Sequence, residues 1–168
     1  MNRQAFTILG FLLNVNVQID EVDEDGWSPL IHACVLGKVQ GALTLIENGA
    51  ELDLKDHEGC TALHHASRES QLDCCKLLIE KGATVEAKDS NSWTPFLWSC
   101  YIGNTEIAEI LLENGADVNV RGLHHCTGLV WAAGKSNVSL VRLLLDHGAK
   151  VDTGDKYGTT PLIWVNGK

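Results

Sequence analysis

At 168 residues, 45% of them hydrophobic and 21% charged, the chain has the make-up of one folded unit, and neither disorder nor membrane embedding fits that balance. A formal charge of −9 without any basic run excludes a nucleic-acid partner, since few lysines or arginines are on hand to displace counterions from a phosphate backbone. Cys34, Cys60, Cys74, Cys75, Cys100 and Cys126 come without a secretory signal, so they read as reduced thiols of a cytoplasmic chain.

In chain order, the first element is the apolar run AFTILGFLL at residues 5–13, far short of a bilayer crossing. It aligns with the second helix of a partial unit spanning 1–23. From there a period of 33 residues takes over: GWSPL from Gly26, GCTAL from Gly59, SWTPF from Ser92, HCTGL from His125 and GTTPL from Gly158. ENGA at 47–50, EKGA at 80–83, ENGA at 113–116 and DHGA at 146–149 keep the same spacing. Repetition of this length is the mark of a stacked array.

Each unit reads as turn, short helix, tight turn, longer helix, extended connection. Ser28, Thr61, Thr94, Thr127 and Thr160 stand where a helix N-cap is needed, and Pro29, Pro95 and Pro161 follow at a position whose missing N–H costs nothing. Apolar and small residues recur at offsets 0, 3 and 4, as in Leu30, Ala33 and Cys34, which gives one buried stripe. The second helices carry CCKLLIE, IAEILLE and LVRLLLD and stop at Gly49, Gly82, Gly115 and Gly148, each suited to a left-handed C-terminal cap. The repeats therefore span about 24–56, 57–89, 90–122 and 123–155, with a truncated one at 156–168, and the chain reads as a single array over 1–168 cut from a longer one.

These features resemble the ankyrin repeat family, with its turn glycine, Thr-Pro-Leu-His, two-alanine helix, leucine-rich helix and Gly-Ala-Asp-Val-Asn. The resemblance implies an all-α ankyrin-repeat solenoid of helix-turn-helix units with hairpin-like connections, whose turn tips and first helices form a concave surface for binding a protein or peptide. It also places Asn119 at a position hydroxylated in some members. Two departures are local. The family histidine occurs as His64, with Ile31, Leu97, Val130 and Ile163 in its column, and Gly128 replaces the proline, so hydrogen bonding across the fourth turn is expected to be weaker.

On a helical wheel the residue at offset 2 points about 200 degrees from the buried stripe, and that column holds His32, His65, Trp98, Trp131 and Trp164. Tyr101 lies on the same side; Trp27 and Trp93 stand at turn tips, with Tyr157 just before the last one. Trp27, Trp93, Trp98, Tyr101, Trp131, Tyr157 and Trp164 are thus the candidate protein-binding residues, while Phe6, Phe11 and Phe96 read as helix packing. The same column also suits a ladder bracing neighbouring units, and both readings stand. Acidic residues crowd the connections, from Asp20, Glu21, Asp23, Glu24 and Asp25 to Asp53, Asp56, Glu58, Glu86 and Asp89. They serve either as a solvated rim or as an edge steering a basic or amphipathic ligand. The Trp column in PFLWSCY, GLVWAAG and TPLIW is similar to the arrays of membrane-spanning ankyrin-repeat scaffolds, which implies the cytosolic part of a signalling adaptor.

Enzymatic chemistry finds no footing in the motifs. LHHC at 123–126 offers zinc-ligand types, but consecutive residues do not converge on one ion, and neighbouring repeats about 8–10 Å apart set the Cys60 and Cys126 columns roughly 20 Å from each other. His64 and His65 diverge on their helix, with His64 placed to bond turn backbone between repeats, and there is no G-x-G-x-x-G, P-loop or H-E-x-x-H. NVS at 137–139 matches a glycosylation sequon at a helix start and reads as idle. No catalytic, cofactor or metal site is expected, nor any direct membrane insertion. The alternative to a ligand groove is a structural spacer or a segment that self-associates through open ends, at residues 5–13 and around Leu162.

Overall fold

The computed structural model describes residues 18–166, so the expected helix at 5–14, with Phe6 and Phe11, lies outside the described residues. The remainder is a succession of helix pairs: α1 (Pro29–Val35) with α2 (Val39–Glu47), α3 (Ala62–Arg68) with α4 (Leu72–Glu80), and α5 (Pro95–Ile102) with α6 (Thr105–Glu113). A single 3₁₀ turn, Leu123–His125, precedes α7 (Gly128–Gly134) and α8 (Val138–Asp146), and α9 (Pro161–Asn166) opens the next pair. First helices α1, α3, α5, α7 and α9 touch in that order, and α2, α4, α6 and α8 form a second row beside them. No strand occurs among the described residues.

The core lies between the two rows and is renewed by every unit. Leu30, Leu63, Phe96 and Leu129 fill one buried column and Leu45, Leu78, Leu111 and Leu144 another. Burial of each such side chain contributes about 1.5–3 kcal/mol. Since each unit meets only its neighbours, the energy is a sum of local interfaces rather than the property of one centre.

Hydrogen bonds at separations near 33 residues join the units. Glu51 N–H donates to Asp20 Oδ1 at 3.0 Å, Thr84 N–H to Asp53 Oδ1 at 2.9 Å, Asp117 N–H to Glu86 Oε1 at 3.0 Å and Lys150 N–H to Asn119 Oδ1 at 2.9 Å. Asn119 is therefore occupied in a cross-link, and its Nδ2 also donates to Gly148 O at 3.3 Å. At the inter-helix turns, Gln71 Nε2 donates to Val35 O at 3.1 Å and Asn137 Nδ2 to Gly103 O at 2.9 Å. His64 behaves as its motif implies. Nδ1 accepts from Thr61 N–H at 3.1 Å, which leaves Nε2 to donate to Trp93 O in the next unit, also at 3.1 Å.

Side-chain caps form where the sequence places them at Ser28 and Thr94. Ser28 Oγ accepts from Ile31 N–H and Thr94 Oγ1 from Leu97 N–H, each at 3.3 Å. Thr127 stands in the same backbone conformation, yet its buried hydroxyl has no hydrogen-bond partner among the described residues. Beside it, Gly128 makes room for the neighbouring unit. A Cβ there would lie 2.7 Å from Cys100 Sγ and 3.2 Å from Phe96 Cε1. Phe96, where other units carry leucine, is thus matched by a missing side chain on α7.

Gly128→Ala is accordingly expected to lower stability by about 1–2 kcal/mol, despite alanine's better helix propensity, because the added methyl overpacks the α5–α7 contact. In a Cys100→Ala background the penalty should fall below about 0.5 kcal/mol, since the closest atom is gone. Urea unfolding midpoints of the four variants check this.

Candidate interaction surface

The tips are closed by the same backbone pair in every unit. Asp56 N–H donates to Cys60 O at 3.0 Å and Gly59 N–H to Asp56 O at 2.9 Å, and the pattern recurs at Asp23/Trp27, Asp89/Trp93, Gly122/Cys126 and Asp155/Thr159. The residue before the closing one takes positive φ in all five: 82° at Gly26, 79° at Gly59, 61° at Ser92, 62° at His125 and 77° at Gly158. Glycine adopts this region freely, whereas Ser92 and His125 bear a cost of about 1–2 kcal/mol that the closed tip must hold.

A carboxylate organises four of these tips. Asp23, Asp56, Asp89 and Asp155 each use Oδ1 to accept two backbone N–H groups, as where Asp56 takes Glu58 at 2.9 Å and Cys60 at 2.8 Å. Oδ2 then reaches the side chain nine residues on. His32 Nε2 meets Asp23 at 2.7 Å, His65 Nε2 meets Asp56 at 2.7 Å and Trp98 Nε1–H donates to Asp89 at 3.1 Å. Asp155 is held below the usual carboxylate range chiefly by the Thr159 N–H, and Trp164 is among its further donors. The offset-2 column is thus tied to the tip of its own unit. These aspartates were missing from the sequence-based site, although their 33-residue column and constant interval of nine are both visible in the chain.

The column does not face solvent uniformly. His65, expected to point outward, is 1% exposed, because Trp27 packs edge-on against it at 4.7 Å and Asp56 and Arg68 close the remaining sides. Arg68 Nη2 donates to His65 Nδ1 at 3.1 Å, so Nδ1 carries the lone pair and Nε2–H faces Asp56. The ring is neutral there. Burial holds its pKa below the ordinary histidine value against the upward pull of Asp56, and burial does the same to His64.

The fourth unit differs. Gly122 replaces the aspartate, and a Cβ there would lie 3.0 Å from Trp93 Cδ1 and 2.9 Å from Leu97 Cδ1. Trp93 fills that space and is 8% exposed, so it floors the surface rather than lining it. Its ring lies 4.7 Å from Trp98, 5.3 Å from Tyr101 and 5.5 Å from Trp131, and Tyr101 meets Trp131 edge-on at 5.1 Å. Trp131 Nε1–H has no hydrogen-bond acceptor among the described residues, since its aspartate is absent. Two cations lie over the cluster, Arg68 at 5.5 Å from the Trp98 ring and Lys135 at 4.8 Å from that of Tyr101. Neither entered the sequence-based site.

Of the seven candidates, Trp93, Trp98, Tyr101 and Trp131 therefore form one cluster across the third and fourth units. Trp27 belongs to a separate group with His32 and His65. Trp164 is partly exposed beyond Gly134, and Tyr157 is 78% exposed with Lys156 over its ring. Beside Trp27 an open cleft of about 290 Å³ is bounded by Asp25, Asp56, His57, Glu58 and Arg68.

Asp56, Cys60 and His65 bring a carboxylate oxygen, a thiol and an imidazole nitrogen within 4.8 Å of one another, a grouping that LHHC had not suggested. The Asp56–His65 pair repeats a linkage found in units without a thiol, and Cys60 is pushed up to about 12 by burial and by the Asp56 and Asp89 charges. The arrangement therefore reads as tip architecture. In LHHC itself, His124 and His125 are exposed while Cys126 is buried.

Stacked helix pairs with a turn tip per unit and an aromatic flank define a repeat solenoid. Family profiles agree: that of ankyrin repeats (3 copies) matches residues 44–122, and that of the single ankyrin repeat matches 25–57 and 124–156. The chain belongs to the ankyrin repeat family. A search of curated proteins gave no match. Among the described residues no helix is long and apolar enough to cross a membrane.

Acid should act through the buried imidazoles. With folded-state pKa values lowered, His64 and His65 bind fewer protons in the native than in the unfolded chain, so stability is complete above the unfolded value near 6.5 and declines as pH falls below it. The lowered carboxylates Asp23 and Asp155 act in the same direction only below the ordinary carboxylate value of 3.8. Thermal midpoints measured from pH 7.5 to 5 should therefore decrease, and His65→Gln, which keeps a donor for Asp56, should flatten the profile.

Proposed function

We propose that this chain, a member of a family of protein–protein interaction modules, binds a protein or peptide segment on its aromatic flank and works as part of a signalling scaffold or adaptor. The observation that carries the reading is the continuous cluster of Trp98, Tyr101 and Trp131 over Trp93, left part-exposed on the tip side of the first helices. Rigid amphipathic rings of this kind supply large contact area at low entropic cost, and truncating one at an interface costs about 2 kcal/mol or more. Trp27, Tyr157 and Trp164 extend the surface toward its two ends.

The tryptophan column supports a more particular resemblance, to the N-terminal array of the kinase D-interacting, ankyrin repeat-rich membrane-spanning scaffold protein. On that reading residues 1–168 are one array on the cytosolic side of a membrane-spanning parent, with no enzymatic role and no cofactor. The acidic tips at Asp23–Asp25 and Asp56–Glu58 favour a basic stretch in whatever lies over the first two units.

A second reading is favoured by α9, where Leu162 and Ile163 are 69% and 54% exposed: self-association through an open end. Light scattering over a range of chain concentrations separates the two.

The groove is tested by selecting binders from a displayed random-peptide library on the 168-residue chain. Trp98→Ala with Trp131→Ala should abolish their binding while thermal unfolding stays cooperative. Because these rings also brace α5 against α7, Tyr101→Ala, at a side chain 38% exposed, provides a milder variant expected to lose about tenfold in affinity at nearly unchanged stability. Undiminished binding by all variants refutes the groove.

A further inference from the structure

Charge is distributed unevenly along the flank. Residues 90–105 and 118–137, the first helices and short turns of the third and fourth units with the tip of the fourth, contain no aspartate or glutamate, in a chain that has 22 of them, and Asp89 at the third tip is buried and taken up by two backbone N–H groups and Trp98 Nε1–H. The counterparts of 90–105 in the first two units, 24–39 and 57–72, hold Glu24, Asp25, Glu58 and Glu69. Over the carboxylate-free part Lys135 lies on the Tyr101 ring and makes no ion pair among the described residues, and Tyr101, Ile102 and Leu123 are 38%, 39% and 44% exposed.

The second observation is the unaccepted indole donor. In the first three units the column side chain gives its N–H to, or shares a proton with, the tip aspartate; in the fourth the aspartate is Gly122, and among the described residues Trp131 Nε1–H has no acceptor. That donor stays open to an acceptor on an incoming ligand, and a hydrogen bond to a carboxylate is worth more than one to a neutral group. Lys135 stands one helical turn beyond Trp131 on the same face, so one incoming anion can meet both.

We propose that the flank of the third and fourth units docks an acidic peptide segment with an apolar or aromatic anchor. The anchor lies on Trp98 and Tyr101, and a carboxylate accepts from Trp131 Nε1–H and pairs with Lys135. This rests on the protein-binding reading and assigns the cluster a ligand opposite in charge to the one that the acidic tips favour. A basic stretch and an acidic anchored stretch in one ligand would fix its direction along the array.

The test is the composition and variant dependence of peptides selected from a random 16-residue library displayed against the 168-residue chain in low salt. Enriched sequences should carry net negative charge with at least one Trp, Phe or Leu. Their affinity should fall about tenfold with Lys135→Glu. It should fall about threefold with Trp131→Phe, which keeps the ring and removes the donor. Unfolding midpoints identify any variant that loses binding through loss of fold. Enrichment of basic peptides that lose binding with Tyr101→Ala but keep it with Lys135→Glu overturns the acidic assignment and leaves the groove intact. Peptides indifferent to Tyr101→Ala and to the Trp98→Ala, Trp131→Ala pair, or no enrichment at all, remove the groove and this inference together.

Discussion

One carboxylate, shared between two backbone N–H groups of a turn and a ring nitrogen nine residues further on, sets the shape of this surface. Asp56 shows the arrangement fully buried: Oδ1 holds the tip closed, and Oδ2 holds His65 against it. Neither contact alone would orient the tip toward the first helix, since a turn can pivot about its ends. Together they make tip and helix one rigid piece. Because the linkage recurs at Asp23, Asp89 and Asp155, the flank is built from copies of a single local device and inherits the period of the chain.

The fourth unit shows what replaces the device when it is absent. Without an aspartate at Gly122 the tip winds into a 3₁₀ turn, with His124 and His125 both at positive φ, and the Trp93 ring takes the room. An electrostatic staple is exchanged for aromatic packing. The result is a patch with a different chemistry from the rest of the flank: apolar, capped by cations and carrying an indole N–H that has no acceptor among the described residues. Gly128 makes a parallel exchange inside the core, where a missing side chain admits Phe96. Sequence departures that look like erosion of the repeat are matched across the α5–α7 contact by larger residues from the preceding unit.

Much of this was legible in the chain before folding is considered. Period, helix order, caps and closing glycines all follow from local rules, and local rules suffice where each unit is a small helical hairpin. The histidine that joins Thr61 to the next tip was legible too, because its motif encodes a contact between adjacent units. The exposures of His65 and Trp93 were not. For His65 a helical wheel treats the helix in isolation and assigns the face opposite the core to solvent, and for Trp93 a position at a turn tip was equated with exposure. Neither inference can register that the neighbouring tip folds down over the side chain, with Trp27 on His65 and Gly122 on Trp93. Arg68 and Lys135, on the same side of their helices as the Trp column, were left out of the site for the same reason: their importance lies in which ring they cover, a relation between units and not within one.

The buried thiols have a consequence of another kind. Cys34, Cys60 with Cys74 and Cys75, Cys100 and Cys126 place at least one sealed sulfur in each of the four 33-residue units. In a linear stack where units can peel away from an end, every partial opening uncovers a distinct subset of them. The chain carries its own graduated scale, on which alkylation by a small reagent would mark how far from either end the array has come apart.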